Sequence, residues 1–147
     1  MITIKSEIRN SNFETNYKYE TRNSKPSQTR SKQYDLEERT FQFAKQTRTF
    51  VKELPKTTGS FEDISQLVRS SASVGANYIE ANESLGRKDF FMKIKISRKE
   101  AKESRFWLRL VDTNNKEELE KERQRLIQEA TELMNIFGSI FRKGQHV

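Results

Sequence analysis

The sequence predicts an all-α protein, an antiparallel up-down-up-down four-helix bundle. Three observations point there. Only 2 prolines and 5 glycines interrupt 147 residues. Beyond residue 34, four stretches carry apolar residues at steps of three and four, the period of a helix with one buried face. Short connections separate the stretches, and short loops make consecutive helices antiparallel neighbours. A third of the residues are hydrophobic and a third charged, which suits long helices with wide solvated faces.

The expected bundle spans residues 35–143. Residues 1–34 read as a flexible basic tail: seven Lys/Arg stand against three Glu, and the apolar residues show no helical period. Residues 144–147 form a short C-terminal tail.

The first helix starts near Tyr34 or Asp35, with Asp35 as cap and Glu37 and Glu38 at the positive end of the dipole. Phe43, Thr47, Phe50 and Leu54 form its inner face, widened by Phe41, Ala44 and Val51. Pro55 ends it. The second helix is expected to open at Ser60, with Ser60 and Asp63 as a capping box. Its seam runs through Ile64, Leu67, Ser71, Gly75 (or Val74), Tyr78 and Asn82. The middle is small: Ser70, Ser71, Ala72, Ser73, Gly75 and Ala76. A helical glycine costs about 1 kcal/mol relative to alanine, so close approach of another helix is expected there.

The third helix runs from Arg87 to Asp112. Phe90, Ile94, Ser97, Ala101, Ser104, Leu108 and Val111 alternate steps of four and three. Asp112-Thr113-Asn114-Asn115 is turn chemistry. The fourth runs from Lys116 to Arg142, with Gly144 as a fitting stop. Leu119, Arg123, Leu126, Ala130, Leu133, Phe137 and Ile140 make one seam; Ile127, Met134 and Phe141 make a second. With Phe91, Trp107 and Leu110, that second seam predicts a homo-oligomer interface. The other reading is a generous core within one chain.

Several function classes are weighed against. No cysteine is present, so there is no thiolate metal site or thiol nucleophile. The one histidine, His146, falls in the expected C-terminal tail. No apolar run reaches the roughly 18–20 residues a membrane span needs, and the N-terminus does not read as a signal peptide. A cytoplasmic, non-enzymatic protein without cofactor or membrane partner is expected. Asn77, Glu80, Glu100 and Glu103 border the seam between helices two and three. They are expected to form a structural polar cluster with Ser97, Ser104 or Arg69; a metal or acid–base site built on the three glutamates is the competing reading.

The third helix carries the better functional signal. From Arg87 to Asp112 it holds nine Lys/Arg and four Asp/Glu, net +5, whereas Thr57–Gly86 is net −3 and Lys116–Lys143 is neutral. Lys88, Lys95, Lys102 and Arg109 repeat every seven residues. Arg98 and Arg105 form the neighbouring row, Lys99 fills between, and Arg87 stands at the start. Such a stripe could track the phosphates of RNA or DNA. It could equally be a solvated helix face, or meet an acidic protein partner.

Ser73-Val74-Gly75-Ala76-Asn77-Tyr78-Ile79-Glu80 resembles the S-[IV]-x-A-N-x-x-E helix of the bacterial 23S ribosomal RNA intervening-sequence proteins. That family includes the accessory proteins of diversity-generating retroelements. The resemblance continues through Gly86-Arg87, Asp89-Phe90, Ile96 and Glu103 and covers about Leu54 to Leu110. Gly75 stands where the family often has proline. The resemblance implies a non-enzymatic, often pentameric four-helix bundle. It also implies nucleic-acid binding through a basic surface, as accessory to a reverse transcriptase or to ribosomal RNA. It carries Ala76, Asn77, Glu80 and Glu103 over as fold-defining residues.

Overall fold

A computed structural model describes residues 35–146; the expected basic tail, Tyr34 and Val147 lie outside them. Four helices follow in order: α1 Leu36–Lys52, α2 Thr58–Asn82, α3 Arg87–Leu110 and α4 Glu117–Gln145. Each packs on its neighbour in sequence, α1 closes on α4, and the α2–α3 pair is the most extensively packed. The result is the expected antiparallel bundle.

Local chemistry sets the helix ends. Asp35 caps α1, its Oδ1 accepting the Glu38 N–H at 3.0 Å. α2 opens three residues earlier than the sequence suggests. Thr57 is its N-cap and Ser60 completes the capping box from the third helical position. The Ser60 N–H donates to Thr57 Oγ1 at 3.3 Å and the Thr57 N–H to Ser60 Oγ at 2.8 Å. Ser60 is thus the far partner of the box rather than its cap, and Asp63 takes no part in it. Between α3 and α4, Asn114 and Asn115 adopt φ of 54° and 55°. Asp112 Oδ1 accepts the Asn114 N–H at 2.7 Å. Asparagine tolerates this left-handed geometry, as the turn expected there requires.

The core follows the predicted seams closely. Phe43, Leu67, Val74, Ile94, Ala101, Leu108, Leu126, Ala130, Leu133 and Phe137 are all buried. Phe41 is not: it is exposed, and the buried side of α1 is completed by Leu36 and Thr40 instead. In the centre, small polar residues let α2 and α3 approach. Ser97 Oγ donates to the Val74 carbonyl across the pair at 3.0 Å, and Ser104 Oγ lies 3.0 Å from Ser70 Oγ. These contacts satisfy hydroxyls that would be costly to bury alone.

Two glycines are sites of contact. A Cβ on Gly75 would stand 2.9 Å from Thr40 Oγ1 of α1. The close approach expected at that glycine is therefore to α1, while Ser70 meets α3 through Ser104. Gly144 does not stop α4, which continues to Gln145. A Cβ there would lie 2.0 Å from Phe91 Cζ. The glycine serves packing of the ring rather than helix termination.

Candidate nucleic-acid interface

Around α3, the apolar seam points inward and separates a charge-matched flank from a cationic one. On the flank facing α2, charges are matched. Lys93 Nζ lies 2.6 Å from Glu80 Oε2. Arg69 of α2 bridges Glu100, at 3.4 Å, and Glu103. Trp107 Nε1 donates to Glu103 Oε1 at 3.3 Å. The hydrogen bond to Glu80 raises the Lys93 pKa. At Arg69 desolvation acts to lower the pKa, but the Glu100 and Glu103 carboxylates outweigh it and raise it.

The flank facing α4 is different. Lys95 Nζ lies 5.1 Å from the centroid of the Phe141 ring. Arg98 reaches over Gly138, and Arg105 Nη1 lies 3.5 Å from Thr131 Oγ1. As numbering rises along α3, it falls in step along α4, so these three contacts share one antiparallel register. At the start of α3, Arg87 stacks 5.4 Å from the Phe91 ring centroid and donates to the Gly144 carbonyl. A rotation of about 100° per residue brings Lys88, Lys99, Lys102 and Arg109 onto the same side.

None of these eight cations forms an ion pair with a carboxylate among the described residues. The helix is 24 residues long, so the unpaired row extends over about 33 Å. The arrangement is one-sided by construction: acidic residues of α2 and α3 neutralise one flank, whereas α4 offers the other Thr131, Gly138 and Phe141. The Lys95 ammonium and the Arg98 and Arg105 guanidinium groups thus rest on uncharged residues of α4 rather than on carboxylates.

The second seam of α4 packs on the core of its own chain and keeps part of its surface open. Ile127, Met134 and Phe141, with Trp107, pack partly buried against the core, and Phe91 is buried. Of the six residues expected at an oligomer interface, only Leu110 is exposed.

The expected polar cluster divides in two. Arg69, Glu100 and Glu103 come together as anticipated. Glu80 instead pairs with Lys93, and Asn77 Nδ2 donates to the Ser73 carbonyl of its own helix at 2.9 Å. Ser97 and Ser104 bond elsewhere across the α2–α3 seam. Among the described residues, no three His, Cys, Asp or Glu side chains converge in a metal-holding arrangement. No helix among them is long and apolar enough to cross a membrane.

Sequence reasoning missed two residues beside the basic flank. Arg142 enters the sequence reading only as the last residue of the fourth helix, yet it reaches the same spot over Gly138 as Arg98. The antiparallel register, counted back from the α3–α4 turn, could have paired them. Phe106 stands exposed on α3, its ring 4.9 Å from that of Trp107. It falls outside the heptad seam, which is the signal that it faces outward.

Fold and site together define a small antiparallel helical bundle with one cationic face. The profile of the 23S rRNA-intervening sequence protein family matches residues 32–139, and the chain belongs to that family. A crystal structure of a protein of unknown function from the S23 ribosomal protein family of Bacteroides thetaiotaomicron has the same fold. It is 29% identical, with a TM-score of 0.62, and the match covers 71% of this chain and 96% of that one. No curated protein matches the chain.

Proposed function

We propose that this protein is a non-enzymatic, cytoplasmic nucleic-acid-binding bundle that holds RNA or DNA through the α4-facing flank of α3. One observation carries the reading: Arg87, Lys88, Lys95, Arg98, Lys99, Lys102, Arg105 and Arg109 share a side and lack acidic partners among the described residues. Cations held together without carboxylates repel one another, and a polyanion relieves that repulsion. The flank offers a row of charges and no arrangement for reading base edges, so binding is independent of sequence. The family description, with its reference to 23S rRNA, supports the same partner class.

An accessory role beside ribosomal RNA or a reverse transcriptase is the finer form of this proposal, and it rests on the family resemblance. Self-association, as a pentamer by the same resemblance, belongs to it too. Phe106 and Leu110, one turn apart on α3, are exposed apolar side chains open to such a contact.

Fluorescence anisotropy with a labelled RNA at low salt tests the reading. Changing Lys95, Arg98, Lys102, Arg105 and Arg109 together to Gln should abolish most binding with helicity intact. Lys93→Gln, on the neutralised flank, should leave binding unchanged. Failure of the parent to bind, with recovery of an acidic protein in its place, would support the scaffold reading instead.

A further inference from the structure

The α3–α4 groove holds one place where two cations from different helices meet. Gly138 is buried in the C-terminal third of α4 and carries no side chain. At the point where its Cβ would stand, Arg98 Nε and Arg142 Nη1 each lie 3.2 Å away. The two guanidinium groups therefore share the space that the glycine leaves open. Neither makes an ion pair among the described residues, and both residues are exposed to solvent. Lys95 lies one turn away over Phe141.

Both guanidinium groups border one small space and carry like charge, so an anion held there would be favoured by both. Their planar, multi-donor forks match the oxygens of a phosphate better than two ammonium groups would. We propose that Arg98 and Arg142 form a clamp over Gly138 that grips one phosphate group of a bound polynucleotide. The proposal rests on the nucleic-acid reading above and gives it a fixed point: elsewhere the flank supplies diffuse charge, while here it supplies directed hydrogen bonds. Gly138 is the enabling residue: a Cβ alone would ask each arginine tip to give slightly, and a long side chain would take the space they share.

A double-mutant cycle in single-stranded RNA binding tests the clamp, using Arg98→Gln, Arg142→Gln and the pair. Each single change should weaken binding on the order of tenfold. The pair should weaken it by clearly less than the product, because either loss already opens the clamp. Two further variants keep the charge. Arg98→Lys with Arg142→Lys should lose affinity while the salt dependence stays that of the parent. Gly138→Leu, which favours helix formation and fills the space between the arginines, should do the same. Oligonucleotides with and without a 5′-phosphate separate a terminal from an internal phosphate as the group held.

Strictly multiplicative losses, or full affinity in the lysine pair, would overturn the clamp while leaving the cationic flank in place. No RNA binding by the parent would overturn both.

Discussion

Gly75 of α2 lies against Thr40 of α1 so closely that a Cβ on the glycine would fall 2.9 Å from Thr40 Oγ1. Thr40 cannot easily turn away, because its hydroxyl donates to the Glu37 carbonyl at 2.9 Å and its side chain is buried. Gly75→Ala should therefore destabilise the bundle by about 1–2 kcal/mol, despite alanine's advantage of about 1 kcal/mol within a helix. Urea denaturation measures this. Adding Thr40→Ala should recover part of the loss; strict additivity would place the cost of Gly75→Ala elsewhere.

Phe91 and Gly144 set a second close contact, at the C-terminal end of α4. The missing Cβ would lie 2.0 Å and 2.2 Å from two ring carbons of Phe91. Gly144→Ala must move the ring or the helix end, and should lower the thermal midpoint. It should also disturb Arg87, which stacks on that ring and donates to the Gly144 carbonyl. A melting curve indistinguishable from that of the parent would contradict this contact.

These glycines show what the sequence makes legible and what it hides. The seams of α3 and α4 could be read because apolar steps of three and four have one structural meaning. Gly75 could be read as a close approach, but not that α1 rather than α3 makes it. Gly144 looked like a helix stop, since glycine commonly ends helices; only the position of the Phe91 ring reveals its use. At the site, the net charge of α3 was visible in sequence. The segregation of that charge was not, because it depends on which carboxylates α2 brings within reach and on α4 bringing none. Arg142 was missed for the same reason: its partner is 44 positions away in the sequence.

Thr47 offers a simple stability test. Its side chain is fully buried, and its Oγ1 has no hydrogen-bond partner among the described residues. Thr47→Val keeps the shape and removes the unpaired hydroxyl. A gain of about 1 kcal/mol is expected, seen as a rise of roughly 3–6 °C in the melting midpoint. A lower midpoint would mean that the hydroxyl is bonded in solution, for instance to water.

Glu120 links stability to acidity. Hydrogen bonds from Arg123 first, and then from Thr113, hold its carboxyl below the usual carboxylate range. Arg123 also donates to the Val111 carbonyl at 2.8 Å, so the group ties the start of α4 to the end of α3. A carboxylate with a depressed folded-state pKa contributes stability above the unfolded value of about 4.3. That contribution is lost as pH falls through the lower folded value. Glu120→Gln should therefore lose less stability than the parent between about pH 5 and about pH 2. Parallel pH profiles of the urea midpoint would contradict the link.

The central claim is that the α4-facing flank of α3 is a surface for polyanions, and the salt dependence of RNA binding tests it most directly. For single strands, the slope of log affinity against log salt changes by about 0.7 for each phosphate contact. Neutralising Lys95, Arg98, Lys102, Arg105 and Arg109 should therefore reduce the slope by roughly 3, while Lys93→Gln should leave it unchanged. An unaltered slope in the fivefold variant, with its helicity intact, would contradict the assignment of this flank.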